Sequence, residues 1–263
     1  MADVISDLAA EGDDIDRLVA ELTPGQWQMP TPSPGWTIAH QIGHLESSDR
    51  LTTLAISDPA AFEAQRDRMT GDFETSVDAT AAATGAMPPA DLLASWRSSR
   101  AAVLAALATV PAGERVPWMV NPISAPALAS TRLMELVGHG QDIRDALGAG
   151  WTATDGIWHL ARLGVRTRDF AFANNGLTPP MREFRVELLA PSGETWGFGP
   201  PDAGQRVTGP AADFCLLVTR RRHRADLRLA AVGADADRWL DIAQAYAGPP
   251  SAGRQPGQFK RPS

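Results

Sequence analysis

Two runs of the chain each carry a pair of metal-type side chains four residues apart, and burying such pairs restricts how the runs can pack. Residues 131–147 (Thr-Arg-Leu-Met-Glu-Leu-Val-Gly-His-Gly-Gln-Asp-Ile-Arg-Asp-Ala-Leu) read as a helix that carries Glu135 and His139. Residues 36–45 (Trp-Thr-Ile-Ala-His-Gln-Ile-Gly-His-Leu) read as a second helix, with His40 and His44 at the same spacing. Residues at i and i+4 share a helix face, with Cβ atoms roughly 6 Å apart. Two such helices side by side can bring one Glu and two His around a single ion. Three of the chain's five histidines lie in these two runs. Apolar neighbours such as Ile42, Leu45, Leu136 and Val137 draw the same segments toward a core. A carboxylate and two imidazoles are costly to bury without a common partner, and a metal ion supplies one.

A catalytic zinc ion takes three protein ligands, often two His and one carboxylate, and keeps a position open. The same donors suit ferrous iron or nickel, so the ion is a divalent metal, Zn2+, Ni2+ or Fe2+. Spacing alone does not choose between His40 and His44 as the partner of Glu135 and His139. Asp142, three residues after His139, is placed to orient a ligand imidazole or to pair with Arg144 or Arg166. The competing account makes these histidines surface residues, each with its own small partner.

With 263 residues the chain is long enough for one large domain or two ordinary ones. A net charge of -7 argues against nucleic acid, which needs a basic face. A single cysteine, Cys215, precludes an intrachain disulfide and a thiolate zinc cluster, and it reads as a small core residue. The acidic start Met-Ala-Asp-Val-Ile-Ser-Asp lacks the features of a signal peptide. No apolar run reaches the roughly 20 residues of a membrane span. The expectation is a soluble, cytoplasmic monomer or homodimer that acts on a small-molecule substrate, with no nucleic-acid or membrane partner.

The first two-thirds read as helices. Residues 3–22 place Val4, Ile5, Leu8, Ile15, Leu18, Val19 and Leu22 at helical spacing. Prolines at every second position forbid a helix over 29–35. Thr37 then caps a helix to about Ser57. A weaker helical stretch runs from Pro59 to about residue 83, and a stronger one from Pro88-Pro89 to Val110. Residues 111–125 read as a long loop with no structure of its own, of the kind that forms lids. The Glu135 helix ends at Gly148-Ala-Gly150, and Thr154-Asp155 opens another helix to about Phe172. The pattern then changes. Residues 185–190 and 194–198 read as a hairpin, 211–218 as a helix, 226–232 as a strand and 236–246 as a helix. The predicted class is therefore α+β. A helical domain over 1–175 precedes a small α+β domain over 176–248, and 249–263 is a Pro/Gly-rich tail.

Residues 34–45, beginning Pro34-Gly35-Trp36, resemble the metal-site helix of the mycothiol-dependent maleylpyruvate isomerase and DinB-like superfamily, and 135–139 resembles its second metal helix. The resemblance implies an N-terminal DinB-like four-helix bundle that holds a divalent metal, usually zinc. It selects His44 over His40 as the ligand that joins Glu135 and His139. Residues 214–226 and 239–250 are similar to an actinobacterial subgroup of metal-binding proteins. The resemblance further implies a metal-dependent isomerase or S-transferase that uses mycothiol as cosubstrate on a carbonyl-bearing molecule. The alternatives are a thiol-independent cyclase, isomerase or hydrolase, and a non-catalytic metal-binding protein. The basic cluster Arg220-Arg-Arg-His-Arg224 contains Arg221 and Arg222, which the resemblance marks for capture of a substrate carboxylate through a guanidinium fork. Its outer members, Arg220 and Arg224, read as cations at a helix end. Trp36, Trp118, Met119, Trp151 and Trp158 are candidates for an apolar pocket near the metal, with Trp36 read rather as a plug at the end of the bundle. His159 reads as structural.

Overall fold

The computed structural model describes residues 3–69 and 73–259. The chain divides into two compact units, Met1–Trp151 and Thr152–Ser263.

The first unit is built on helices. Asp3 caps α1 (Val4–Ala20) by accepting from the Ile5 N–H, and Val4, Leu8, Ile15 and Val19 line its buried stripe. A single turn, α2 (Pro24–Trp27), leads into the proline segment and then α3 (Ile38–Ser57). The stretch expected as one weak helix is two, α4 (Pro59–Met69) and α5 (Phe73–Gly85); Ala-rich and polar, they bury few of their described side chains, chiefly Phe62 and Ala81. Next come α6 (Pro89–Thr109), a minimal antiparallel pair of β1 (Arg115–Val116) and β2 (Ile123–Ser124), and α7 (Ala125–Leu147). Gly148 stops α7 at a φ of 67°, a left-handed conformation that costs glycine little.

Helices α1 and α3 each pack against both α6 and α7, which closes a four-helix bundle. Ile15, Ile38, Ile42, Leu45, Leu92, Trp96 and Leu128 fill its interior with at most 1% exposure. Helix α5 lies on the outer side of α3, where Gly43 and Gly85 let the two backbones come close. The hairpin corrects the expectation of an unstructured loop over 111–125. Trp118 in that hairpin stacks on the buried Phe62 ring with centroids 5.7 Å apart.

The second unit begins with a 3-10 turn at Asp155–Ile157, followed by α8 (Trp158–Arg166) and α9 (Arg168–Asn174). One helix was expected here. It breaks at Thr167, whose hydroxyl bonds back to the Gly164 carbonyl at 3.1 Å. Then come β3 (Arg185–Leu189), β4 (Thr195–Phe198), β5 (Arg206–Pro210), α10 (Ala211–Val218), β6 (Ala230–Val232) and α11 (Ala234–Ile242). The sheet order is β4-β3-β5-β6, with β3 and β5 parallel and the outer pairs antiparallel. Strand β5 has no strong sequence signal because Gly209 and Pro210 interrupt its alternation. The strand expected over 226–232 is confined to Ala230–Val232, the three residues that pair with β5, while Asp226 belongs to a 3-10 turn over Arg224–Asp226.

The division lies at 151/152 rather than near Asn174-Asn175-Gly176. Helices α8 and α9 belong with the sheet: Cys215 Sγ lies 3.7 Å from the Ile157 carbonyl, and α8 meets α10 so closely at Gly164 that a Cβ there would be 3.0 Å from Phe214 and Val218. The Pro/Gly-rich segment after α11 is tied down at Gly248 and Gly257. Asp226 accepts from the Gly257 N–H at 2.7 and 2.9 Å, and Asn174 Nδ2 donates to the Gly248 carbonyl at 2.9 Å.

Candidate metal centre

The site lies where α3 meets α7. Thr37 begins α3, and its backbone N–H donates to His40 Nδ1 at 3.2 Å while its hydroxyl sits 2.7 Å from the same nitrogen. His40 therefore does the work that Glu or Gln does at the third position of a capping box. This local demand takes His40 out of the candidate ligand set and leaves His44, one turn on, to face α7.

His44 Nε2 lies 3.3 Å from Glu135 Oε2, and His139 Nε2 lies 3.1 Å from the same oxygen. The potential ligand atoms of His44, Glu135 and His139 all lie within 4.8 Å of one another. Four bonds of about 2.0–2.1 Å in a tetrahedron separate neighbouring ligand atoms by roughly 3.3 Å, so both nitrogen–oxygen distances suit a shared ion. The side chains are 16%, 22% and 13% exposed for His44, Glu135 and His139, so the cluster is sheltered yet partly accessible. Burial raises the cost of the Glu135 charge, but hydrogen bonds from His139 and His44, reinforced by their charge, hold its carboxyl well below the usual carboxylate range. An anionic carboxylate against two imidazoles is a donor set that a divalent cation neutralises.

Two neighbours border the site, Trp36 and Gln41, and the role of Gln41 was not evident from the sequence. Trp36 was expected to plug the end of the bundle. Instead its ring lies 5.4 Å from His44 and 5.7 Å from His139, nearly parallel to the latter. Its indole N–H is anchored on Asp78 of α5 at 2.9 Å. Gln41, fully buried, accepts from His139 Nδ1 at 2.5 Å. Asp142 is fully buried and accepts from the Ser33 hydroxyl at 2.9 Å. The spacing Gln41-x-x-His44 was the available signal for Gln41, since i and i+3 share a face.

The basic cluster lies in the second unit. Arg220, at a φ of 60°, donates to the carbonyls of Asp241 and Ser251, and Arg224 is paired with Asp237 at 2.7 Å and Asp241 at 2.8 Å. Arg220 thus ties the end of α10 to α11 and the tail, and Arg224 binds α11, whereas the sequence marked both only as cations at a helix end. Arg221 donates to the Thr219 carbonyl and Arg222 to the Arg221 carbonyl, each at 2.7 Å; the Arg222 guanidinium also lies 4.6 Å from the Phe259 ring centre. His159 packs edge-on against Trp158 at 5.2 Å. Among the described residues, no helix is long and apolar enough to cross a membrane.

Comparison with known proteins agrees with this architecture. The family model described as "Mycothiol maleylpyruvate isomerase N-terminal domain" matches residues 8–144, a span that includes all three candidate ligands. A second model, described as "Wyosine base formation", matches residues 180–230 in the other unit. Two proteins of Mycobacterium tuberculosis, from strains CDC 1551 / Oshkosh and ATCC 25618 / H37Rv, are each 51% identical over 250 residues. Each alignment covers 95% of this chain and 97% of the relative, and both relatives are named as uncharacterized. Among solved structures, the mycothiol-dependent maleylpyruvate isomerase aligns with a TM-score of 0.54 at 15% identity, over 81% of this chain and 86% of that one. A histidine-to-alanine mutant of that enzyme aligns equally well. The similarity in fold extends through both units, and by the match over its bundle the chain belongs to the mycothiol maleylpyruvate isomerase N-terminal domain family.

Proposed function

We propose that the protein is a metal-dependent enzyme of small-molecule metabolism that holds a divalent ion, Zn2+ first among the candidates, between His44, Glu135 and His139. The observation that carries this reading is the convergence of three ligand atoms within 4.8 Å across α3 and α7. A divalent ion there supplies Lewis acidity, lowering the pKa of a thiol or polarising a carbonyl oxygen. Three protein ligands favour a catalytic over a structural ion, which takes four. His40, the nearest further imidazole on α3, is engaged in capping.

The surrounding residues suit such a role. Trp36 gives the site an apolar wall that limits water and seats the carbon skeleton of a ligand. The family description and the solved relative both name mycothiol, which supports a low-molecular-weight thiol as cosubstrate and an isomerisation or S-transfer as the reaction. Arg221 and Arg222 are the proposed carboxylate-binding residues, because a guanidinium fork matches a carboxylate.

Elemental analysis of the purified protein tests the metal. The expected result is about one equivalent of divalent ion per chain. It should fall to background in His44→Ala, Glu135→Ala and His139→Ala, and retention in all three variants overturns the assignment. Co2+-substituted protein then tests the thiol: added mycothiol should produce a sulfur-to-cobalt charge-transfer band. No band at saturating thiol excludes the thiol-dependent form and leaves a thiol-independent one. For the arginines, Arg221→Ala/Arg222→Ala should raise KM and leave kcat nearly unchanged once a substrate is in hand.

A further inference from the structure

Gln41 lies on α3, three residues before His44, and its side chain is completely buried. Both ends of its amide are engaged. Gln41 Nε2 donates to Thr31 Oγ1 at 2.8 Å, and Gln41 Oε1 meets His139 Nδ1 at 2.5 Å. The direction of this chain of hydrogen bonds can be worked out from its outer end. The backbone carbonyl of Trp36 can only accept, and Thr31 Oγ1 lies 3.0 Å from it, so the single hydroxyl proton of Thr31 is committed there. Thr31 Oγ1 must then accept from Gln41, which turns the amide NH2 toward Thr31 and the amide oxygen toward His139. An amide oxygen cannot donate, so His139 Nδ1 must carry the proton. With Nδ1–H fixed, Nε2 is the nitrogen that varies: it donates to Glu135 Oε2 at 3.1 Å while it carries a proton, and offers its lone pair once an ion takes that proton's place.

We infer that Gln41 is a positioning residue that holds His139 in its Nδ1–H tautomer and presents Nε2 to the metal. The same amide ties this ligand to the segment that carries Trp36, since Thr31 also gives its backbone N–H to the Trp36 carbonyl at 2.8 Å. Gln41 thus sets both the ligand and the wall above it. A polar side chain at a fully buried position among Ile38, Ile42 and Leu45 has a reason to be there only if both its ends are used. The inference rests on the metal reading above.

The test compares Gln41→Leu with Gln41→Glu, using Zn2+ as the probe. Leu fits an apolar site but offers no acceptor, whereas Glu keeps the acceptor and adds a buried charge. Zn2+ affinity, measured by competition with a chromogenic chelator, should fall about 10- to 100-fold in Gln41→Leu. It should stay near the wild-type value in Gln41→Glu. In Zn2+-loaded protein labelled with 15N-histidine, the His139 Nδ1–H resonance should be slow to exchange in the wild type and in Gln41→Glu, and lost in Gln41→Leu. A packing role alone predicts the opposite order, with Leu tolerated and Glu damaging. That order, or an unchanged Nδ1–H signal in Gln41→Leu, overturns the inference while leaving the metal assignment intact. Wild-type protein that takes up no Zn2+ overturns the metal reading and this role with it.

Discussion

Asp49 and Arg132 form an ion pair across the α3–α7 interface that carries the candidate ligands, at 4% and 2% exposure. Arg132 Nε donates to Asp49 Oδ1 at 3.1 Å, and its Nη2 lies at the same distance from that oxygen. Asp49 follows His44 by five residues and Arg132 precedes Glu135 by three, so the pair lies close to the candidate metal centre on both helices. Burial pushes the Asp49 carboxyl up, against the charge of and hydrogen bond from Arg132, which marks the ion pair as dearly desolvated. Removing one partner strands the other charge in the core, at a cost of about 3–5 kcal/mol. Replacing both by apolar side chains of similar size removes the desolvation as well, and should be neutral within about 1 kcal/mol or stabilising. Asp49→Leu and Arg132→Met should therefore each lower the melting temperature by about 6–20 °C, taking about 2–4 °C per kcal/mol for a unit of this size. Asp49→Leu/Arg132→Met together should return it close to the wild-type value. Thermal melts followed by far-UV ellipticity, to which the bundle helices contribute most, measure this in the full chain with chelator present, so that metal linkage does not mask the loss. Losses that add in the double variant, or a single variant costing less than about 1 kcal/mol, would refute the account of a charge pair held only by its partner.

Two further predictions follow from other contacts. A Cβ on Gly43 would lie 2.8 Å from the Gly85 nitrogen and 2.9 Å from the Ala81 carbonyl, and neither backbone atom can swing aside. Gly43→Ala should force α3 and α5 apart by roughly 0.5–1 Å to reach ordinary contact. The overpacking cost of about 1–3 kcal/mol should outweigh a helix-propensity gain of about 1 kcal/mol. Both the melting temperature and Zn2+ affinity should fall, because His44 is the next residue; unchanged values would show that the helices yield without cost. Asp16 accepts from Arg97, and this hydrogen bond, opposed by partial burial and aided by the charges of Arg97 and Arg100, lowers its pKa. A carboxyl with a depressed folded pKa stabilises above its unfolded pKa, and that stabilisation is lost as pH falls through the folded value. Asp16→Asn should thus cost about 0.5–1 kcal/mol at pH 7, a figure kept small because Arg97 is half-exposed. The deficit should vanish in acid, and urea melts across pH 3–7 that show a constant difference would contradict this.

Much of the bundle was legible because its signals are local and repeated. Thr37, Pro89 and Gly148 mark helix ends by cap chemistry and backbone freedom alone, and the ends predicted from them agree closely with those found. The division between units was less legible. The turn chemistry of Asn174-Asn175-Gly176 is real, and Gly176 has a φ of 69°, but it marks the end of α9 rather than a change of core. Which core a helix joins depends on contacts distant in sequence, such as Gly164 against Phe214. Strand β5 escaped for a related reason. Its two sheet partners supply most of what holds it, while its own sequence, Arg-Val-Thr-Gly-Pro, has little β character beyond Val207 and Thr208.

The three polar residues His40, Gln41 and His44 show where spacing stops being informative. His40 and His44 are equivalent by helical periodicity, yet one caps and the other faces Glu135. The difference arises from position along the helix rather than around it. At the third residue of α3 the unpaired N–H of Thr37 competes for any acceptor within reach, and the pattern Thr37-x-x-His40 supplies one. By residue 44 the backbone is satisfied within the helix, and the imidazole is left for tertiary partners. That inequality can be read from the sequence once a histidine is admitted to the acceptor position of a capping box. Gln41 is different. Its place on the His44 face could be computed, but its partner is a nitrogen on another helix, and its orientation is set by a threonine in a loop of alternating prolines. The role follows only when Thr31, Trp36 and His139 are brought together. What the fold adds to the ligand set is therefore directionality: a line of hydrogen bonds that decides which nitrogen of His139 is free to bind.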